Sequence, residues 1–94
     1  MTKAELLDKA KETVKDRGAN YGTPLENFSE IATMFAQILK CPVTPGQVAA
    51  CMIAVKMCRL ARTPNHMDSI VDIAGYAACW AEVAEAPQTK PEGE

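Results

Sequence analysis

Three copies of one short pattern constrain this chain more than any other feature. Thr2-Lys3-Ala4-Glu5, Thr23-Pro24-Leu25-Glu26 and Thr44-Pro45-Gly46-Gln47 each set a threonine three residues ahead of a Glu or Gln. At that spacing the hydroxyl accepts the third backbone amide of a helix, and the Glu or Gln side chain accepts the threonine's own N–H. Two copies carry Pro at the first helical position, where its missing N–H is without consequence. Asn65-His66-Met67-Asp68 reads as a looser fourth start, with Asp at the third position. Gly18, Gly22, Cys41-Pro42 and Pro64 supply the breaks between them. The chain is thus expected to be all-α, with four helices at about 3–17, 24–39, 45–62 and 66–86. Residues 1–86 form a single helical domain on this reading, and 87–94 (PQTKPEGE) a disordered polar tail.

Hydrophobic residues make up 48% of the 94 positions but aromatics only 5%, so Ala, Val, Ile, Leu and Met carry the apolar content, as suits packed helices. On helix 1, Leu7, Ala10 and Val14 form a narrow stripe; helix 2 offers Phe28, Ile31, Phe35 and Ile38. Helix 3 is different. Between Val48 and Ala61 only Lys56 and Arg59 are not apolar, and a helix apolar all round must be covered on every side. Helix 4 adds the small residues Ala74, Gly75, Ala77, Ala78 and Cys79. A homo-oligomer joined through helices 3 and 4 is expected; the alternative is a monomer with an exposed apolar patch.

The net charge is −2 and the basic residues are scattered, so no single-sign field points to nucleic acid. The N-terminal segment lacks the apolar run of a signal peptide, and no stretch approaches the roughly 18 apolar residues of a membrane span. Cys41, Cys51, Cys58 and Cys79 show no zinc spacing and read as reduced thiols used as small core residues. A reducing cytoplasm, no membrane partner and no nucleic-acid partner are the expectations.

Three groups of polar residues could carry chemistry. Glu26 with Glu30, and Asp68 with Asp72, are carboxylate pairs one turn apart, an arrangement that on facing helices can hold Mg²⁺. Glu26 and Asp68 also stand where a carboxylate caps a helix. Lys56 and Arg59 share a face of helix 3, and the reversal near Pro64 brings Lys56 level with Asp72. That pair is either a structural ion pair or part of a ligand site; burying it merely to join two helices adds little net stability. The third group is the linker Arg17 to Gly22 with Asn27. Two glycines around Tyr21 would let backbone approach a ligand, with Tyr21 stacking on a base and Arg17 meeting phosphate. Gly18 as a helix cap and Tyr21 as a packing contact fit the same residues. His66 stands in the first turn of helix 4, where it could meet an anion. Nothing resembles a Ser-His-Asp or Cys-His nucleophile arrangement.

Asp16-Arg17, Tyr21-Gly22-x-Pro24 and Asn27-Phe28, then Lys56-x-x-Arg59-Leu60, then His66-x-Asp68-Ser69-x-x-Asp72-Ile73-Ala74-Gly75-Tyr76-Ala77 together resemble a family of small phage-encoded all-α proteins. The likeness spans Leu7 to Ala86. Through a nucleotide-modification-associated phage domain, that family is distantly similar to the MazG-like nucleotide pyrophosphohydrolases. The resemblance implies a MazG-like helical oligomer that handles nucleotides, with Arg17, Tyr21, Asn27, Lys56, Arg59, His66, Asp72 and Tyr76 as ligand-binding residues. MazG-like enzymes hold Mg²⁺ with an ExxE and an ExxD motif on successive helices. Here the pairs are spaced i,i+4, and Glu82-Val83-Ala84-Glu85, a literal ExxE, lies at the end of helix 4 with no facing partner motif. The expected function is therefore sequestration of a nucleotide, or of a nucleotide-derived immune signal in an anti-defence role, without catalysis or cofactor. The alternatives are a Mg²⁺-dependent pyrophosphohydrolase using Glu26, Glu30, Asp68 and Asp72, and a protein-binding phage accessory factor.

Overall fold

The computed structural model describes residues 1–86; the tail at 87–94 lies outside them. Four helices follow in order, α1 (Lys3–Tyr21), α2 (Pro24–Leu39), α3 (Pro45–Arg62) and α4 (Met67–Glu85), and there is no strand among the described residues. All three capping boxes form. The Thr2, Thr23 and Thr44 hydroxyls accept from Glu5, Glu26 and Gln47 amides at 3.1, 3.2 and 3.1 Å. Each return bond, from the threonine N–H to the Glu or Gln side chain, is also present.

Two boundaries differ from the sequence reading. First, α1 does not stop at 17; it runs through Gly18 to Tyr21, so there is no Arg17–Gly22 linker. A glycine inside a helix costs only about 1 kcal/mol, and the Arg17 guanidinium lies 5.1 Å from the Tyr21 ring centroid one turn on, a contact available only in the helix. The helix stops at Gly22, whose φ of 86° favours glycine and whose N–H donates to the Gly18 carbonyl at 3.1 Å. Second, the cap of α4 is His66, which puts Asp68 at the second helical position and Ser69 at the third. His66 Nδ1 lies 2.7 Å from Ser69 Oγ, and Ser69 is buried, so the imidazole meets the one buried hydroxyl of the first turn.

α4 is the hub. It packs most extensively on α3 and next on α1, and it also reaches α2, whereas α1 and α2 barely meet. A helix with three neighbours needs small residues where they crowd, which accounts for buried Ser69, Gly75 and Cys79 beside Val71 and Val83. The core closes over Phe28 and Val48, both fully buried, with Ala32, Ala49, Cys79 and Val83 around them. Because α1 leans mainly on α4 and meets α2 only through a small contact, Leu7 stays 64% exposed although the stripe reading puts it inside. Ile38 is 71% exposed for another reason: it lies roughly a quarter turn off the line through Phe28, Ala32 and Phe35. α3 buries Val48 and Ala49 and half-buries Met52, Ile53 and Leu60. Its outer face, with Cys51, Ala54, Val55, Met57, Cys58 and Ala61, is exposed in the single chain.

Candidate functional site between α1 and α4

Along α1, Thr13, Asp16, Arg17, Asn20 and Tyr21 recur at the three- and four-residue steps of one helical face. Along α4, Asp72, Gly75, Tyr76 and Cys79 do the same. The two faces confront each other across a pocket of about 320 Å³, lined by these nine residues and Val14. Gly75 keeps the floor open. A Cβ built there would meet only Val14 Cγ2, at 3.7 Å.

Arg17 is the most heavily engaged residue of the wall. Its guanidinium carbon lies 5.1, 5.6 and 5.5 Å from the ring centroids of Tyr21, Phe28 and Tyr76, within reach of a cation–π attraction to each. Phe28 and Tyr76 themselves stand 6.2 Å apart with their rings tilted by 32°. Nη2 of Arg17 donates to Asn27 Oδ1 at 2.7 Å, a short charge-assisted bond. Three helices therefore position one cation: α1 carries it, α2 supplies Asn27 and Phe28, and α4 supplies Tyr76. The guanidinium has five N–H groups, and this bond uses one of them. Burial pushes the Cys79 thiol pKa above its ordinary value; Arg17 offsets part of the rise and Glu82 adds to it.

Lys56 of α3 pairs with Asp72 at 3.1 Å, as the chain reversal led us to expect. The side chains are 29% and 33% exposed, so the pair stands at the rim in contact with solvent and is not closed inside the bundle. Asp72 thus touches both the pocket and a cation.

Six of the eight expected ligand residues gather here: Arg17, Tyr21, Asp72 and Tyr76 line the pocket, while Asn27 and Lys56 hold two of the liners. Arg59 and His66 do not join them. Arg59 is exposed near the end of α3, and His66 faces Ser69 at the start of α4. Of the carboxylates considered for Mg²⁺, Glu26 accepts from both the hydroxyl and the amide of Thr23, Asp72 pairs with Lys56, and Glu30 and Asp68 are exposed on α2 and α4. Among the described residues no three or more His, Cys, Asp or Glu side chains converge as metal ligands would.

Thr13, Asp16, Asn20, Gly75 and Cys79 were not singled out as site residues from sequence. The signal was present in the matching i, i+3, i+4, i+7 spacing on both walls, hidden by ending α1 at 17.

The family described as "Domain of unknown function (DUF6378)" matches residues 5–84. The chain belongs to this family. The matched span takes in both pocket walls and all but the outermost turns of the DUF6378 fold. Relatives include "Gene 55 protein" of Mycobacterium phage D29, 39% identical over 83 residues, which cover 87% of this chain and 55% of that protein. "Gene 55 protein" of Mycobacterium phage L5 is 38% identical over 74 residues, 77% of this chain and 47% of that one. The chain spans about half the length of the curated relatives it matches. No solved structure matches. The likeness to small phage proteins read from the motifs is thereby shown. No helix among the described residues is long and apolar enough to cross a membrane.

Proposed function

We propose that this DUF6378 chain binds a nucleotide in the α1–α4 pocket and holds it without hydrolysis, as a sequestering protein. The observation that carries this reading is the Arg17 guanidinium, fixed by three aromatic rings and Asn27 in the wall of a pocket that also presents two tyrosines. Rings against a guanidinium limit its rotation, so its N–H fork is set before ligand arrives and little ordering is lost on binding. Tyr21 is 60% exposed, which leaves it free to stack on a base. Asp72 and Asn20 offer polar atoms to a ribose or a base edge. The volume falls at the small end of ligand pockets, which suits one compact molecule. Holding without turnover is supported by the engagement of two of the carboxylates considered for Mg²⁺, Glu26 with its cap and Asp72 with Lys56. The distant MazG-like resemblance supports a nucleotide over other ligands, and an anti-defence role rests on that analogy alone.

Self-association belongs to the same proposal. The outer face of α3 is free of charge from Cys51 to Cys58 and exposed, and a second copy offering the same face would cover it by twofold symmetry. The α3 of each subunit packs on its own α4, so the expected contact uses the outer sides of the pair. Ala54→Glu should then shift the species seen by light scattering toward 10.2 kDa. A wild-type mass of one chain at micromolar concentration would end this part of the proposal.

The test of the site is a thermal melt of wild type and of Tyr21→Ala and Arg17→Lys with a panel of nucleotides. Ligand at 100 times its dissociation constant should add about 2.7 kcal/mol to wild-type stability. Tyr21→Ala gives up the contact with Arg17, so its ligand-free melt should fall slightly, and it should bind about 1–3 kcal/mol more weakly through lost stacking. A wild-type melt that no nucleotide moves would overturn the reading. Pyrophosphate released in the presence of Mg²⁺ would replace sequestration with hydrolysis.

A further inference from the structure

We infer that the pocket selects nucleotides carrying a single phosphate over their di- and triphosphates. The inference rests on the nucleotide reading of the same pocket and concerns the charge the pocket tolerates. Its lining holds one cation, Arg17, and two carboxylates, Asp16 and Asp72. The other nearby cation, Lys56, is 3.1 Å from Asp72 and so neutralises a carboxylate already there. The site and its rim therefore sum to no net positive charge, and one guanidinium is left to meet phosphate. A triphosphate needs several cations or a metal; in P-loop sites a lysine, a nest of amides and Mg²⁺ share that task.

The local geometry leads to the same conclusion. The walls are the sides of two helices, whose backbone N–H groups are bonded within each helix, so no row of free amides is offered to extra phosphates. The hydroxyl of Thr13 donates back to the Lys9 carbonyl, and the Asn20 amide donates to the Asp16 carbonyl. Beside Arg17 the charged groups are the Asp16 and Asp72 carboxylates, joined by the Asn20 side-chain oxygen, while the neutral Tyr21 and Tyr76 hydroxyls can donate or accept. The carboxylates suit ribose hydroxyls and the N–H groups of a base, and they repel phosphate. The pocket thus has one cationic anchor at Arg17 and two carboxylates that resist further negative charge.

The experiment is isothermal titration of wild-type protein, without divalent metal and at constant ionic strength, with the four ribonucleoside 5′-monophosphates and the matching di- and triphosphates. For the base that binds best, each added phosphate should weaken binding by about tenfold, the scale of one further like-charge contact in a half-open site. Asp16 is exposed and its side chain holds no helix in place, so Asp16→Asn leaves the fold intact and should shrink the gap between mono- and triphosphate. A triphosphate that binds as tightly as its monophosphate overturns the selection, and a gap unchanged in Asp16→Asn overturns the charge balance as its cause, each while leaving the pocket a nucleotide site. If no member of the panel binds wild type, the nucleotide reading itself falls, and the selection with it.

Discussion

Replacing Gly75 by alanine should separate stability from ligand binding in one step, because it acts on the two in opposite directions. In the middle of α4 glycine is less favourable than alanine by about 0.8–1.0 kcal/mol, through the freedom the unfolded chain has to give up. The substitution would forfeit this gain if the new methyl were forced into a neighbour. It is not: the nearest atom is Val14 Cγ2 at 3.7 Å, ordinary van der Waals distance, and Gly75 has no positive φ to defend. A melt without ligand should therefore rise by about 4–8 °C, the shift that 1 kcal/mol gives a domain of this size. The methyl enters the floor of the α1–α4 pocket, so the same variant should lose most of any ligand-induced rise. Differential scanning calorimetry with and without nucleotide reads both effects. A lower ligand-free melting temperature would show that α1 and α4 approach more closely than described, and the reasoning about an open floor would fail with it.

The Lys56–Asp72 pair is about one-third exposed, so Lys56→Met and Asp72→Leu should each cost only about 0.5–1 kcal/mol in denaturant melts, with little rescue in the double variant; losses of about 3–5 kcal/mol rescued by the double would mark a closed pair instead. Lys40 caps α2 in the left-handed region at φ 60°, so Lys40→Gly should raise stability by about 0.5–1 kcal/mol, and an unchanged urea midpoint would count against strain there. Cys41, Cys51 and Cys58 are exposed in the single chain and Cys79 is buried; because Cys51 and Cys58 lie on the α3 face proposed to meet a second copy, Ellman's reagent should titrate Cys41 at once, Cys51 and Cys58 slowly in wild type but promptly in Ala54→Glu, and Cys79 only on unfolding. Burial raises the Cys79 pKa above its ordinary value, so the folded state keeps a proton that the unfolded chain loses. The associated stability is present at neutral pH and declines as pH climbs through and beyond the ordinary thiol range; Cys79→Ala should flatten that alkaline slope.

The helix starts were legible because each is written locally. Thr2, Thr23 and Thr44 need only a partner three residues on, and nothing distant can cancel that bond. The Lys56–Asp72 pairing was legible too, since a short reversal between two helices leaves few registers. The end of α1 was not. Gly18 is a plausible stop by propensity alone, and the helix continues because Arg17 finds Tyr21 beside it and Phe28 and Tyr76 across the bundle. The exposure of Leu7 was hidden for a related reason, since a stripe states which side of a helix is apolar and not how many neighbours arrive to cover it. Long-range packing also decided the site: the α1 wall became readable only once its helix reached residue 21, and Arg59 and His66, which share sequence blocks with site residues, fall outside it.

The position of α4 as hub has a temporal side. The walls of the pocket belong to the earliest and the latest of the four helices to be made, with the whole of α2 and α3 between them. While the chain emerges, α1 has almost nothing to lean on, since it barely meets α2, and α3 packs on α2 but leaves the side that will face α4 uncovered. Only the arrival of α4 gives α1 its main partner and completes the cover of α3. No half-built chain carries half a site. Completion of the pocket and the closing of the core are then one event, and the ligand proposed for the pocket would find both its walls only once synthesis has passed Cys79.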